Sequence, residues 1–231
     1  MKTDGNTILI TGGSAGIGFE LAKQLSERGN KILITGRNEE KLKQAAATLN
    51  NVFPIAGDVT DGASVDHLVS VIRAEHPELN MLINNAGYAD AYQLSSDAGA
   101  YSKASREIET NYLSIVALTE QLLPVLLNNP DAALVNVTSI VAYFPQNSVP
   151  TYSASKAALK SYTDVLRNTL GDTLRVFELI PPLVNTDFSK AIGGESGIPP
   201  QEVASELIQA MEKDQHLVPV GMTKEYVKVT A

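Results

Sequence analysis

Tyr152 and Lys156 stand four residues apart in the stretch Tyr-Ser-Ala-Ser-Lys, with only small side chains between them. On a helix, residues i and i+4 lie one above the other on the same face, so the phenol and the amine can serve one site. A phenol beside an amine can exchange a proton with a bound substrate. The same spacing fits a surface helix carrying two unrelated polar residues, so the rest of the chain must decide. Two further polar residues, Asn111 and Ser139, fall where helical and strand-like patterns would converge with that pair.

A second constellation lies near the start. Thr11 to Gly18 reads Thr-Gly-Gly-Ser-Ala-Gly-Ile-Gly, directly after a strand-like run and before an amphipathic one. Positions without side chains let a pyrophosphate approach the backbone, and a helix N-terminus offers free N–H groups and positive dipole. Gly12, Gly16 and Gly18 are the expected critical glycines. Their spacing, Gly-x-x-x-Gly-x-Gly, departs from the Gly-x-Gly-x-x-Gly fingerprint, and a turn that uses glycine only structurally is the alternative.

About 20 residues on, a dinucleotide site normally carries an acid for the ribose 2′-hydroxyl. Gly36 stands there instead, followed by Arg37 and Asn38. A guanidinium pairs with a 2′-phosphate, which favours NADP(H) over NAD(H). The alternatives are that Arg37 is a solvated loop charge, or that Glu39 or Glu40 turns back to the ribose. Asp58 and Val59 offer an adenine-edge carboxylate and an apolar wall, and Asn84, Asn85, Ala86 and Gly87 suit a backbone-lined crevice at a strand's carboxyl end.

The elements that must position these residues alternate. Strand-like runs are expected at 7–11, 31–35, 52–58, 81–87, 133–139, 174–180 and 216–220, with helical patterns at about 17–29, 38–49, 62–75, 103–128, 152–170 and 200–213. Near-continuous apolar strands imply burial on both faces, and helices supply the crossovers. The fold class is therefore α/β, a Rossmann-like doubly wound sheet of seven mostly parallel strands with helices on both faces. Asn38 also reads as an N-cap, Gly29 as a helix stop, and Pro130 as the end of the long fourth helix. In that helix Ile108, Tyr112, Ile115, Thr119, Leu122 and Leu126 form an apolar stripe expected to cover the sheet.

Composition narrows the classes. The chain has 231 residues, 44% of them hydrophobic and 19% charged, with no linker-like run, so residues 1–231 read as one domain. No apolar run was expected to reach the ~18 residues that span a bilayer, and the start lacks a signal-peptide pattern, so a cytoplasmic, non-membrane protein is expected. There are no cysteines, and His67, His76 and His216 lack metal-ligand spacing. No metal is expected. A net charge of −8 argues against a nucleic-acid surface.

With the glycine turn, Asn-Asn-Ala-Gly at 84–87, Asn111, Ser139 thirteen residues before Tyr152, and Tyr-Ser-Ala-Ser-Lys in this order, the chain resembles a single-domain short-chain dehydrogenase/reductase. The resemblance covers nearly the whole chain. It implies an oxidoreductase that interconverts a carbonyl and an alcohol by hydride transfer, with Tyr152 as general acid/base. Lys156 would lower the phenol's pKa and hold the nicotinamide ribose, Ser139 would hydrogen-bond the carbonyl oxygen, and Asn111 would bind a water linking Lys156 to solvent. For Asn111 the alternative is a helix residue satisfying a neighbouring backbone.

The implied cofactor contacts are Thr11, Gly12, Ser14, Gly16, Ile17, Gly18, Arg37, Asn38, Asp58, Val59, Asn85, Ala86, Gly87, Tyr152, Lys156, Pro181, Val184 and Thr186. One departure is Pro182, where the family commonly has glycine, which stiffens the loop after strand six. This Pro-Pro form resembles a bacterial subgroup named after teichoic-acid D-alanylation operons. A neutral small-molecule carbonyl or alcohol substrate and a homodimer or homotetramer are expected, and a non-catalytic dinucleotide-sensing protein on the same fold is the alternative. Gly193, Gly194 and Gly197 with the paired Pro199-Pro200 suggest a mobile stretch with a firm stop, which would suit a lid closing on substrate; a simple surface loop is the alternative. The short stretch after the last strand suggests that a partner subunit closes the pocket.

Overall fold

The strands are β1 (Thr7–Thr11), β2 (Lys31–Gly36), β3 (Val52–Ala56), β4 (Met81–Asn84), β5 (Ala133–Val137), β6 (Arg175–Ile180) and β7 (Leu217–Pro219). In this computed structural model, which describes residues 1–227, they form one sheet in the order β3-β2-β1-β4-β5-β6-β7, each pair parallel. The order runs outward in both directions from β1 and β4. That reversal opens a crevice at the carboxyl ends of the two central strands.

Alternation along the strands builds two cores. Ile8, Ile10, Ile32, Ile34, Ile83, Val135 and Phe177 face one side. There they meet α1 (Gly16–Ser26), α2 (Glu39–Ala47) and α7 (Pro200–Glu212), through residues such as Leu21, Leu42 and Leu207. Leu9, Leu33, Leu82, Leu134 and Val176 face the other, against α3 (Gly62–Glu75), α5 (Ser114–Leu127) and α6 (Pro150–Leu170), through residues such as Leu68, Leu122 and Leu166. Asn38 caps α2, its side chain accepting from the Lys41 N–H at 2.9 Å. Gly29 follows α1 in the left-handed region at φ +83°.

Four strands end earlier than their apolar runs, β7 by one residue, at Pro219. β3, β4 and β5 stop at Ala56, Asn84 and Val137, so Asp58, Asn85 to Gly87 and Ser139 lie in the turns beyond them. At β4 the cause is local: the N–H groups of Asn85 and Ala86 donate to the Thr11 hydroxyl at 3.0 and 2.9 Å, leaving the ladder.

The fourth helical pattern is not one helix. α4 (Ala100–Ile108) passes through a π-helical turn, Glu109–Leu113, into α5. The extra residue in that turn shifts the buried face by one position. Ile115, Thr119, Leu122 and Leu126 are buried as expected, but upstream it is Glu107 and Asn111, both 0% exposed, that point inward instead of Ile108 and Tyr112. By length and composition the run Ala100–Leu127 is also apolar enough to cross a membrane, which corrects the expectation of no such segment. Its apolar stripe is spent on the sheet, where Leu118, Leu122 and Leu126 join the core.

The first strand-to-helix turn requires its glycines for more than conformation. Gly12 and Gly16 have φ of +67° and +55°. A Cβ on Gly18 would collide with the carbonyl oxygen of Gly12, and one on Gly13 would sit 2.5 Å from Ile34 Cγ2. Gly62, the first residue of α3, has open space around it. Gly18→Ala is therefore expected to destabilise the protein by about 1–3 kcal/mol, and Gly62→Ala to stabilise it by about 0.4–1 kcal/mol. Urea unfolding midpoints measure both; a neutral Gly18→Ala would contradict the packing.

Candidate active site

Pro150 opens α6, its fixed φ and missing N–H suiting the first helical turn. One turn later, Tyr152 and Lys156 lie on the inner face, 8% and 3% exposed. Lys156 Nζ donates to the Val137 carbonyl at the end of β5 at 2.8 Å and stands 5.8 Å from the Tyr152 ring centroid. Ser153 and Ser155 between them are buried and Ala154 is exposed. Ser155 donates to the Tyr152 carbonyl at 2.8 Å.

Ser139 follows β5 and caps a 3₁₀ turn, Ile140–Ala142, its Oγ accepting from the Val141 N–H at 3.3 Å. Its neighbours are pinned to the end of β6: the Thr138 N–H donates to the Leu179 carbonyl at 2.9 Å and the Ile140 N–H to the Pro181 carbonyl at 3.0 Å. Pro181 thus holds the serine turn through its carbonyl, a bond to which the missing N–H of Pro182 is irrelevant.

The electrostatics differ from the expectation that Lys156 lowers the Tyr152 pKa. Burial pushes the phenol well above its ordinary value; the Ser139 hydroxyl pulls it partly back, and the Glu107 carboxylate raises it further. Burial also pulls Lys156 down to about 7. In the protein alone, desolvation outweighs attraction because the amine that would supply the positive charge is itself disfavoured as a cation.

Asn111 sits in the π-helical turn, fully buried. Its Oδ1 accepts from the Tyr88 N–H at 2.8 Å, and its Nδ2 donates to the Tyr88 carbonyl at 2.8 Å and to Ser155 Oγ at 2.9 Å. Its side chain therefore joins the turn after β4 to α6, which is the neighbouring-backbone reading. Glu107, one turn earlier, accepts from the Asp90 N–H at 2.9 Å, and its other oxygen is buried without a partner.

On the nucleotide side, Ala15 precedes α1 and offers no side-chain cap, so the first-turn N–H groups at Gly16, Ile17 and Gly18 are open to an anion. A Cβ on Gly12 would lie 3.1 Å from Ala86 Cα, and one on Gly16 3.1 Å from Thr186 Cγ2. The turns after β1, β4 and β6 therefore converge on one backbone-lined cradle, which fits a dinucleotide pyrophosphate. Ser14 lies beside Gly36, its Oγ 3.9 Å from the position a Cβ would take there. Arg37 is exposed and makes no ion pair among the described residues, whereas Glu39 pairs with Lys43 at 2.6 Å.

Several expected contacts are spent inside the protein. The Thr11 hydroxyl is taken by the β4 turn, and Asn85 Nδ2 donates to the carbonyls of Thr11 and Gly12 at 2.9 and 3.2 Å. Ile17 packs against the core. The Asn38 side-chain oxygen is the helix cap. One Asp58 oxygen accepts from the Thr60 N–H and hydroxyl at 2.9 and 2.8 Å, leaving the second for a ligand. Val184 is bridged to Ile198.

That bridge also changes the reading of the glycine-rich stretch after β6. A Cβ on Gly194 would collide with Ser189, and one on Gly197 would lie 2.7 Å from the Leu183 carbonyl oxygen. These glycines serve close packing of two 3₁₀ turns, Asp187–Ile192 and Gly194–Ser196, not looseness. Phe188, which the sequence did not single out, projects from the first of them, its ring 5.9 Å from that of Tyr152. Further on, Tyr226 meets Phe144 edge-on at 5.6 Å; residues 228–231, part of the stretch after the last strand, lie outside the described residues.

Comparison with known proteins agrees with this geometry. The family described as short chain dehydrogenase matches residues 6–196. The chain is 40% identical over 207 residues to the uncharacterized oxidoreductase DltE of Bacillus subtilis (strain 168), covering 89% of this chain and 82% of that one. A short chain dehydrogenase from Burkholderia cenocepacia J2315, in complex with NADP, superposes with a TM-score of 0.87 at 29% identity, covering 98% and 92% of the two chains. A relative from Burkholderia phymatum in complex with NAD has the same TM-score at 22% identity, covering 94% and 89%, a likeness of fold.

The buried amine generates a pH prediction for protein without added nucleotide. Between about 7 and the ordinary 10.5, the unfolded chain binds a proton that folded Lys156 does not. Stability therefore rises with pH through that window, by at most about 1.4 kcal/mol per pH unit. The difference in unfolding free energy between the wild type and Lys156→Met should grow from pH 7.5 to 9 in denaturant titrations. A flat difference would mean the amine keeps its proton when buried.

Proposed function

The chain belongs to the short-chain dehydrogenase family and is an oxidoreductase, and from that premise we propose that it uses NADP(H) to interconvert a neutral carbonyl compound and its alcohol. The observation that carries this reading is the convergence of the Ser139 hydroxyl, the Tyr152 phenol and the Lys156 amine at the carboxyl end of β5, beside the uncapped N-terminus of α1.

NADP(H), when bound, supplies or accepts the hydride. The protein's part is the proton and the geometry. In reduction, Tyr152 Oη gives its proton to the carbonyl oxygen as negative charge develops there. The burial that raises the phenol's pKa keeps it protonated at neutral pH, ready to act as the acid. Ser139 Oγ accepts from the Val141 N–H, so its own hydrogen, directed at the Tyr152 phenol in the protein alone, can turn to donate to the same carbonyl oxygen when substrate is bound. In oxidation Tyr152 must first lose its proton, and a protonated Lys156 lowers that cost. The Val137 carbonyl holds the amine where it can do so. Arg37, exposed just after β2 and without an ion pair among the described residues, is the group for a 2′-phosphate.

Tyr152→Phe should retain NADPH binding, followed by nucleotide fluorescence, while lowering kcat by about 10²–10⁴-fold on a panel of neutral aldehydes and ketones. Undiminished turnover would overturn the role of the phenol. NADPH binding without turnover of any member by the wild type would make the chain a dinucleotide-binding protein. Arg37→Ala should weaken NADPH binding by about ten- to a hundredfold while sparing NADH. Equal losses for the two nucleotides would remove the 2′-phosphate assignment.

A further inference from the structure

Below the site, the sheet face toward α5 and α6 changes character along one transverse row. Asn84, Asn136 and Glu178 are in register on β4, β5 and β6, and all are at most 1% exposed. Asn84 donates to Asn136 at 2.9 Å, and Asn136 donates to Thr163 of α6 at 2.9 Å. Glu178 takes a different set of partners. Its Oε1 accepts from Thr138 Oγ1 at 2.8 Å, and both its oxygens accept from the Tyr143 hydroxyl at 3.0 Å.

Thr138 immediately precedes Ser139, and Tyr143 immediately follows the 3₁₀ turn that Ser139 caps. A single buried carboxylate therefore holds both ends of the serine turn. Charged neighbours frame it: Arg167 Nη2 lies 3.8 Å from Glu178 Oε2, Asp164 accepts from Arg167 Nη1 at 2.9 Å, and Lys160 stands 5.0 Å over the Tyr143 ring. Burying a carboxylate under a sheet is costly, and nothing in the proposed proton transfer requires one there.

We propose that Glu178 is a positioning residue for catalysis, fixing the Ser139 hydroxyl through paired hydrogen bonds from Thr138 and Tyr143. This rests on the reading of Ser139 as the donor to the substrate oxygen. The turn's backbone bonds to Leu179 and Pro181 set where Ser139 sits. The carboxylate clamp holds the turn against rotation about those bonds, so the hydroxyl keeps its aim. An oxygen donor displaced by about an ångström can cost on the order of 10² in rate.

The test combines exchange and kinetics on the full chain. Tyr143→Phe, Thr138→Val and Glu178→Met each remove the clamp with little change in shape, while Glu178→Gln keeps a side-chain oxygen that accepts both hydroxyls. Hydrogen exchange read by mass spectrometry should be faster at residues 139–144 in the first three, unchanged at the glycine turn 12–18, and restored in Glu178→Gln. On the best neutral carbonyl substrate, the three variants should lose about ten- to a hundredfold in kcat with NADPH binding unchanged. Those losses should vanish when the same changes are made in a Ser139→Ala background, a non-additivity that general destabilisation would not produce.

Unaltered exchange at 139–144, or full additivity with Ser139→Ala, would overturn the proposal. If Ser139→Ala itself leaves turnover intact, the role of Ser139 fails instead, and the exchange data still decide whether Glu178 orders the turn. Should Glu178→Met fail to fold, the two hydroxyl variants carry both readouts.

Discussion

The hydrogen bond from Lys156 Nζ to the Val137 carbonyl ties α6 to the carboxyl end of β5. β5 ends at Val137, two residues before Ser139 caps its turn. The amine both satisfies the strand end and sets the rotation of α6, so Tyr152, one turn earlier on the same face, must point at Ser139. Both groups pay in solvation. The phenol becomes a weaker acid and the amine a weaker base than either is in water. Such a pair stays near neutrality until a charged ligand arrives, which suits a site whose protonation state must follow its occupant.

Around that bond, close backbone approach does the rest. The turns after β1, β4 and β6 meet where Gly12 faces Ala86 and Gly16 faces Thr186, distances that leave no room for side chains. Thr11 and Asn85 hold the first two turns together. Asn111 and Ser155 join the β4 turn to α6 across the π-helical turn. The cradle is rigid because its polar side chains are spent on one another, and what they leave open is backbone: the N–H groups at the start of α1. Rigid positioning of this kind is what hydride transfer requires, since donor and acceptor carbons must be held close while water is kept away.

Much of this was legible in the sequence. Apolar runs of five to seven residues between helical patterns specified the parallel sheet, and the glycine turn, Ser139 and the Tyr-Lys pair marked the crevice, because each depends on local spacing. What escaped depends on contacts distant in sequence. Gly13 is demanded by Ile34 on the neighbouring strand. The π-helical turn moved the buried face from Ile108 to Glu107, and no propensity reports an inserted residue in a helix. Glu107 and Glu178 carry no sequence signal of the full burial that the fold gives them. Thr11, Ile17, Asn38 and Asn85 sit in a cofactor-binding pattern, yet their side chains serve the scaffold. Of the glycines after β6, Gly194 and Gly197 meet close packing while Gly193 takes a left-handed φ of +81° in open space, two demands that a sequence expresses with the same letter.

The account's central claim is that this cradle brings a nicotinamide to a carbonyl beside Tyr152. It is tested most directly by isotope transfer. With NADPH deuterated stereospecifically at C4, in separate 4R and 4S samples, and a neutral aldehyde or ketone as acceptor, the prediction is an alcohol carrying a single deuterium on the former carbonyl carbon from one of the two samples only. Oxidised nucleotide without deuterium in the alcohol from either sample, or label delivered from both, would contradict it.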